Sequence, residues 1–149
     1  MEHQVFEMPR PPAKAVVILG IVGGALLILA SLLGVVAMGT HSIEVDDKSF
    51  TVNGSLYSDS VSRDVLQLDQ ARVVDLSKES ALVPDLKTNG LGLPGHLEGW
   101  FTLEDDTKAF LMLTDESKVL YIPTTKDYSF LISAEEPEKL LAALTTTAP

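Results

Sequence analysis

HLEGWFTL at His96–Leu103, KAFLML at Lys108–Leu113, KVLYI at Lys118–Ile122 and YSFLI at Tyr128–Ile132 follow one another in the second half of the chain. Each is short, rich in aromatic or β-branched residues, and bounded by polar residues, as strands are. Their connections, Glu104–Thr107, Thr114–Ser117 and Pro123–Asp127, have hairpin length. Four strands so joined predict an antiparallel sheet. The chain then changes period. Leu140, Leu141 and Leu144 fall on one helical face, and Ser133 with Glu136 three residues on reads as a capping box. A helix of about three turns is predicted to close the domain.

Working upstream, Ser42–Val45 and Ser49–Val52 read as two strands joined by Asp46-Asp47-Lys48, and Asn53-Gly54 is a turn signal. Leu56–Ser62 and Ala71–Leu76 read as further strands, with one helical turn at Asp64–Asp69. Pro84–Gly95 (PDLKTNGLGLPG) reads as a Gly/Pro-rich loop. One sheet layer cannot bury both its own inner face and the helix. The soluble part, 41–144, is therefore expected to be α+β and mainly β: two antiparallel sheets or a partly open barrel, capped by the C-terminal helix. Residues 145–149 (TTTAP) read as a flexible tail.

Before this domain lies AVVILGIVGGALLILASLLGVVAM, Ala15–Met38, 24 residues without a charge. As a helix it would extend about 36 Å, against a hydrocarbon core of about 30 Å. It is longer than the apolar stretch of a signal peptide, although Ala37-Met38-Gly39 resembles a small-residue cleavage site. A retained single-pass transmembrane helix at 15–38 is expected, preceded by a disordered, proline-containing leader at 1–14. Arg10 and Lys14 precede the run and Glu44, Asp46 and Asp47 follow it. The N-terminus is thus expected in the cytoplasm and the domain outside the cell membrane. Gly20 and Gly24 form a GxxxG pair, and Ala30 and Gly34 a second small-residue pair. Both suit helix packing, including homodimerisation.

Composition excludes much. The 149-residue chain has no cysteine, so it has no disulfide, thiolate metal site or cysteine nucleophile. Its net charge of −10 is carried by the part after the apolar run, where nine basic residues face nineteen acidic ones. Such a surface repels phosphate backbones and anionic headgroups, so nucleic acid is not an expected partner. The acidic pairs Asp46-Asp47, Asp105-Asp106 and Asp115-Glu116 lie in turns and lack the DxDxDG spacing of a calcium loop. No metal or cofactor is expected.

His96 and Glu98 share a strand face, which raises a base with an orienting carboxylate. No serine nucleophile signature accompanies them, and packing or a loop hydrogen bond is the simpler reading. Gly90, Gly92, Gly95 and Gly99 with Pro94 do not make a phosphate cradle, because no Lys-Ser/Thr and no helix follows. Trp100, the single tryptophan, is expected in the core or half-buried at a partner groove.

The stretch from Leu86 to Leu144 resembles the bacterial PH-like domains. The resemblance rests on Asn89-Gly90-Leu91-Gly92-Leu93-Pro94-Gly95, then Gly99-Trp100-Phe101, then VLYIPT at Val119–Thr124. Leu131-Ile132-Ser133 followed by Pro137-Glu138-Lys139-Leu140 completes it. It implies two near-orthogonal antiparallel sheets with a C-terminal helix closing one end, and a binding scaffold rather than an activity. Lipid-binding PH domains place Lys/Arg in the loop between their first strands. Here that loop is Asp46-Asp47-Lys48, which argues against phosphoinositide binding. The expected function is a non-enzymatic, membrane-anchored interaction module that binds a protein partner, with Trp100, His96, Gly90, Gly95 and Gly99 as candidate binding residues. A carrier of a small molecule or lipid, and an envelope hydrolase using His96, are the alternatives.

Overall fold

The computed structural model describes residues 13–37 and 41–146, which fall into two units divided at Ala37/Met38. The first unit is a helix, α1 (Ala13–Ala37, 25 residues). Side chains are described for 18 and 20–32, a stretch of about 21 Å at 1.5 Å per residue. Among these described residues no helix is long and apolar enough to cross a membrane. Their apolar side chains are exposed, with Ile21 at 67% and Leu27 at 72%. Ser31 Oγ donates to the Leu27 carbonyl at 2.8 Å, so the one hydroxyl of this stretch is satisfied inside the helix. Of the leader expected at 1–14, Ala13 and Lys14 are already helical, and residues 1–12 lie outside the described residues.

The second unit is built from nine strands and a helix. Strands β1 (Ser42–Val45), β2 (Ser49–Asn53) and β3 (Ser58–Ser62) form a three-stranded antiparallel sheet in that order. Strands β4 (Arg72–Val74), β5 (Pro84–Leu93), β6 (His96–Leu103), β7 (Lys108–Leu113), β8 (Val119–Pro123) and β9 (Ser129–Ser133) form a second sheet, ordered β4-β8-β9-β7-β6-β5. Helix α2 (Pro137–Thr146) lies against β4 and β8. Single 3-10 turns sit at Arg63–Val65, in place of the helical turn expected at Asp64–Asp69, and at Ser80–Leu82.

Several expectations are corrected. The Gly/Pro-rich loop at Pro84–Gly95 is a ten-residue strand with a tight turn after it. Leu93 pairs with His96, leaving Pro94-Gly95 as the two-residue turn, with Gly95 at φ +73°. Proline at the first corner and glycine at the second suit a type II turn. The glycines upstream mark close approach, not irregularity. The second sheet is also not wholly antiparallel, because β7 and β9 run parallel. The β8–β9 hairpin folds back so that β9 inserts between β8 and β7, and Thr114–Lys118 must arch over the end of β9. Ser133, the last residue of β9, secures that arch. Its hydroxyl accepts from the Thr114 and Asp115 backbone N–H at 3.1 Å each and donates to the Asp115 carbonyl at 2.6 Å.

Ser133 is therefore not a helix cap, which is the third correction. The helix begins four residues later, with proline at its first position, where its missing N–H costs nothing. The Glu136 carbonyl accepts from Lys139 and Leu140 N–H. Finally, α2 continues through Thr146, so part of the expected tail is helical, and residues 147–149 lie outside the described ones. The strand expected at Leu56–Ser62 begins only at Ser58, because Gly54–Tyr57 forms the turn before it: Gly54 N–H donates to the Tyr57 carbonyl at 2.8 Å.

Alternation along β6 explains why the second sheet is buried on both faces. Its even-numbered residues His96, Glu98 and Trp100 face the three-stranded sheet, while Leu97, Phe101 and Leu103 face away. Between the sheets, Phe50, Val52, Phe110, Ile122, Phe130 and Ile132 are fully buried, joined by Leu144 from α2. Phe130 meets Phe50 edge-on at 5.3 Å between centroids and Phe110 at 6.0 Å. The opposite face is covered by the segment that crosses from β4 to β5, which contributes Leu76 and Leu82 over Leu111, Val119 and Leu131. Leu76 N–H donates to Glu116, and Glu104 N–H donates to Val83, so this strap is tied at both ends.

Candidate functional site

The loop between β2 and β3 meets β6 at one carboxylate. Glu98 is fully buried. Its Oε1 accepts the backbone N–H groups of Leu56 and Tyr57, each at 2.7 Å. Its Oε2 accepts the Ser55 hydroxyl at 2.7 Å and lies 3.1 Å from His96 Nε2, which donates in its Nε2–H tautomer. Burial alone pushes the Glu98 carboxyl up. The four hydrogen bonds outweigh it and hold the group at about 2. The carboxylate thus stays charged at any physiological pH and fastens one sheet to the other. A second link lies farther along the domain, where the Tyr128 hydroxyl donates to Asp59 Oδ2 at 2.6 Å. Burial, then that bond, raises the phenol.

Glycines make room for this arrangement. A Cβ on Gly54 would lie 2.3 Å from Glu98 Oε1. Gly99 has φ +103°, and a Cβ there would stand 2.7 Å from the Asn89 carbonyl oxygen, 2.8 Å from Gly90 Cα and 3.1 Å from the Tyr57 ring. Gly90 pairs with Gly99 across the β5–β6 ladder, and a Cβ on Gly90 would run into the Glu98 carbonyl and the Phe101 ring. The candidates Gly90, Gly95 and Gly99 thus set backbone shape and turn geometry. Gly99→Ala is expected to lower stability by about 3 kcal/mol, combining positive-φ strain with an immovable backbone clash. A thermal melt of the full-length protein in detergent, followed by Trp100 fluorescence, checks this.

Trp100 is half-buried. It stacks edge-on with Phe110 at 5.2 Å and Tyr128 at 4.9 Å, and Lys108 Nζ lies 4.4 Å from its ring centroid. It therefore closes the core with one face covered by a cation. The acidic turn pairs have a structural task. Asp46, Asp75, Asp105 and Asp115 each accept the backbone N–H two residues on, and in the last three the residue bonded is a Ser or Thr whose hydroxyl bonds the same oxygen. Hydrogen bonds from Ser49, Lys48, Ser77, Lys78 and Ser117 hold the carboxyls of Asp46, Asp75 and Asp115 below the usual range.

His41 and His96 lie 55 residues apart in the sequence. The structure brings their rings to 5.1 Å, and His41 Nε2 lies 3.8 Å from Glu98 Oε2. The cause is register. Ser42 pairs with Asn53, so His41 sits beside Gly54 and the loop that binds Glu98. His41, His96 and Glu98 offer three ligand atoms within 4.8 Å of one another, the one such cluster among the described residues. No alternation pattern within a strand reveals it; only the β1–β2 pairing does.

Gly20, Gly24 and Ala30 of α1 belong to the other unit. Nothing lies within 4 Å of a Cβ placed on Gly20 or Gly24. Ala30 is exposed, and the surroundings of Gly34 fall outside the described residues.

No curated protein and no solved structure matches the chain. Residues 41–148, more than two thirds of its length, match the family model of the bacterial PH domain. The two-sheet core, the closing helix and that match agree, and the chain belongs to the bacterial PH domain family.

Proposed function

We propose that this protein is a membrane-anchored, non-enzymatic interaction module whose PH-like domain takes an extended segment of a partner protein alongside β5. The observation that carries this reading is the edge position of β5. It pairs with β6 alone, and its residues are exposed or half-exposed throughout, with Leu86 at 62% and Leu93 at 37%. Register shifts at Asp85 and Thr88 interrupt the outer ladder, leaving Asn89–Leu93 as its regular part. Five residues suffice for strand addition, and the domain's charge favours a partner segment without excess acid.

Anchoring rests on α1. Its 25 residues extend about 37 Å, and its exposed Leu and Ile side chains suit lipid. Arg10 and Lys14 favour a cytoplasmic N-terminus and an extracytoplasmic domain. Close packing of a second helix at Gly20 and Gly24 would pair two copies.

Chemistry at Glu98 does not support the hydrolase alternative. Ser55 donates to the carboxylate rather than to an imidazole, the reverse of the order that activates a serine. The carrier alternative lacks an apolar interior space, because aromatic and aliphatic side chains fill the gap between the sheets. A cleft of about 660 Å³ does open at the surface beside Arg63, but Asp47, Asp64 and Asp69 line it with Lys48, which suits neither an acyl chain nor a phosphate.

A photo-crosslinking residue placed at Leu86 or Leu93 of the full-length protein tests the reading. The expected result is labelling of one reproducible stretch of one protein, lost when the same probe is moved to Leu56, which is 61% exposed in the turn between β2 and β3. Equal labelling from Leu56, or none from β5, overturns it. A periplasmic reporter fused at the C-terminus should be active if the anchor is oriented as proposed.

A further inference from the structure

The geometry points to a divalent-metal site of the zinc class formed by His41, His96 and Glu98, which would clasp the start of β1 to β6. It does not depend on how the domain meets a partner.

Three observations support it. The first is distance. Tetrahedral zinc with bonds of about 2.0–2.1 Å holds its ligand atoms about 3.3–3.4 Å apart. Glu98 Oε2 stands 3.1 Å from His96 Nε2 and 3.8 Å from His41 Nε2, a spread that brackets this value. The third pair lies within 4.8 Å, so an ion needs only a small closure of the exposed His41 ring.

The second is the donor set. Two imidazoles and one carboxylate suit zinc and its neighbours among the first-row metals, and leave a fourth position open to water or to a partner's donor. Both imidazoles present the same nitrogen, Nε2, to the same carboxylate oxygen. Without a metal, only one of them is close enough to hydrogen-bond it, since 3.8 Å is too long.

The third is the support behind the carboxylate. Oε1 is engaged by two backbone N–H groups, and Ser55 occupies one side of Oε2. The side chain is thereby fixed with one lone pair of Oε2 left toward the imidazoles. Metal-binding carboxylates are commonly oriented by such outer bonds. The strongly acidic surface raises the local concentration of cations.

Binding would add the start of β1 to the link that Glu98 already makes between the β2–β3 loop and β6. Because only the folded state assembles the three ligands, metal should raise the melting temperature.

The test uses full-length protein in detergent, without an affinity tag, titrated with Zn2+ against a chromophoric chelator and separately with Co2+. Expected are one ion per chain at micromolar affinity or tighter, a tetrahedral Co2+ absorption spectrum, and a zinc-dependent rise in melting temperature. His41→Ala and His96→Ala should each weaken binding by about 100-fold and abolish the thermal shift. His41 is peripheral, so its variant keeps the fold, which circular dichroism verifies. Glu98 variants are avoided because they also break the link between the sheets. Absence of stoichiometric binding, or affinity unchanged in His41→Ala, overturns the site.

Discussion

Glu98→Ala is expected to cost about 3–5 kcal/mol, measured with chelator present by thermal melting of the full-length protein. The substitution strands the Leu56 and Tyr57 N–H groups and the Ser55 hydroxyl at a buried position. It also removes the group that joins the β2–β3 loop to β6. The effect should depend on pH in the wild type. The folded carboxyl titrates at about 2, below its unfolded value of 4.5. Its contribution, about 3 kcal/mol for a shift of this size, is therefore fully present above pH ~4.5 and lost as pH falls toward ~2. The alanine variant should lose that part of the acid sensitivity. A variant that melts within about 1 kcal/mol of wild type at pH 7 would show that the buried carboxylate does not hold the sheets together.

Phe130→Ala is expected to cost a similar amount, about 3–5 kcal/mol, through a different cause. Phe130 is fully buried where the sheets face each other and contacts the rings of Phe50, Phe110 and Tyr128. Flanking strands cannot collapse into the space, because β9 is paired on both sides, to β7 and to β8. The loss should be independent of pH, which separates it from that of Glu98→Ala in the same assay. Trp100, linked to this cluster through Phe110 and Tyr128, should report the loosening as a shift in its emission.

Several elements were legible because their cause is local. The strands β6 to β9 alternate or run apolar over a few residues, and their turns carry the polar residues that turns need. The family resemblance drawn from Asn89–Gly95, Gly99–Phe101 and Val119–Thr124 was legible for the same reason. The turn carboxylates also act locally, each accepting the backbone N–H two residues on. At the candidate site, the hydrogen bond between His96 and Glu98 could be anticipated from their shared strand face.

What composition misled was β5. Glycine and proline suggest a loop, but Gly90 is there because the Glu98 backbone carbonyl and the Phe101 ring leave no room for a side chain. That is a tertiary cause with the appearance of a local one. Ser133 misled similarly. It has the right spacing for a cap, yet its hydroxyl is needed to hold the chain where it arches over β9.

By itself the chain determined the membrane-length apolar run, the acidic domain, most strand positions and the closing helix, since each depends on hydrophobic period or charge within a short window. Only the tertiary structure decided the insertion of β9 between β7 and β8, the burial of Glu98 and the meeting of His41 with His96. Those depend on which strands pair and in which register, and pairing is settled by burial across the whole domain rather than by any single segment.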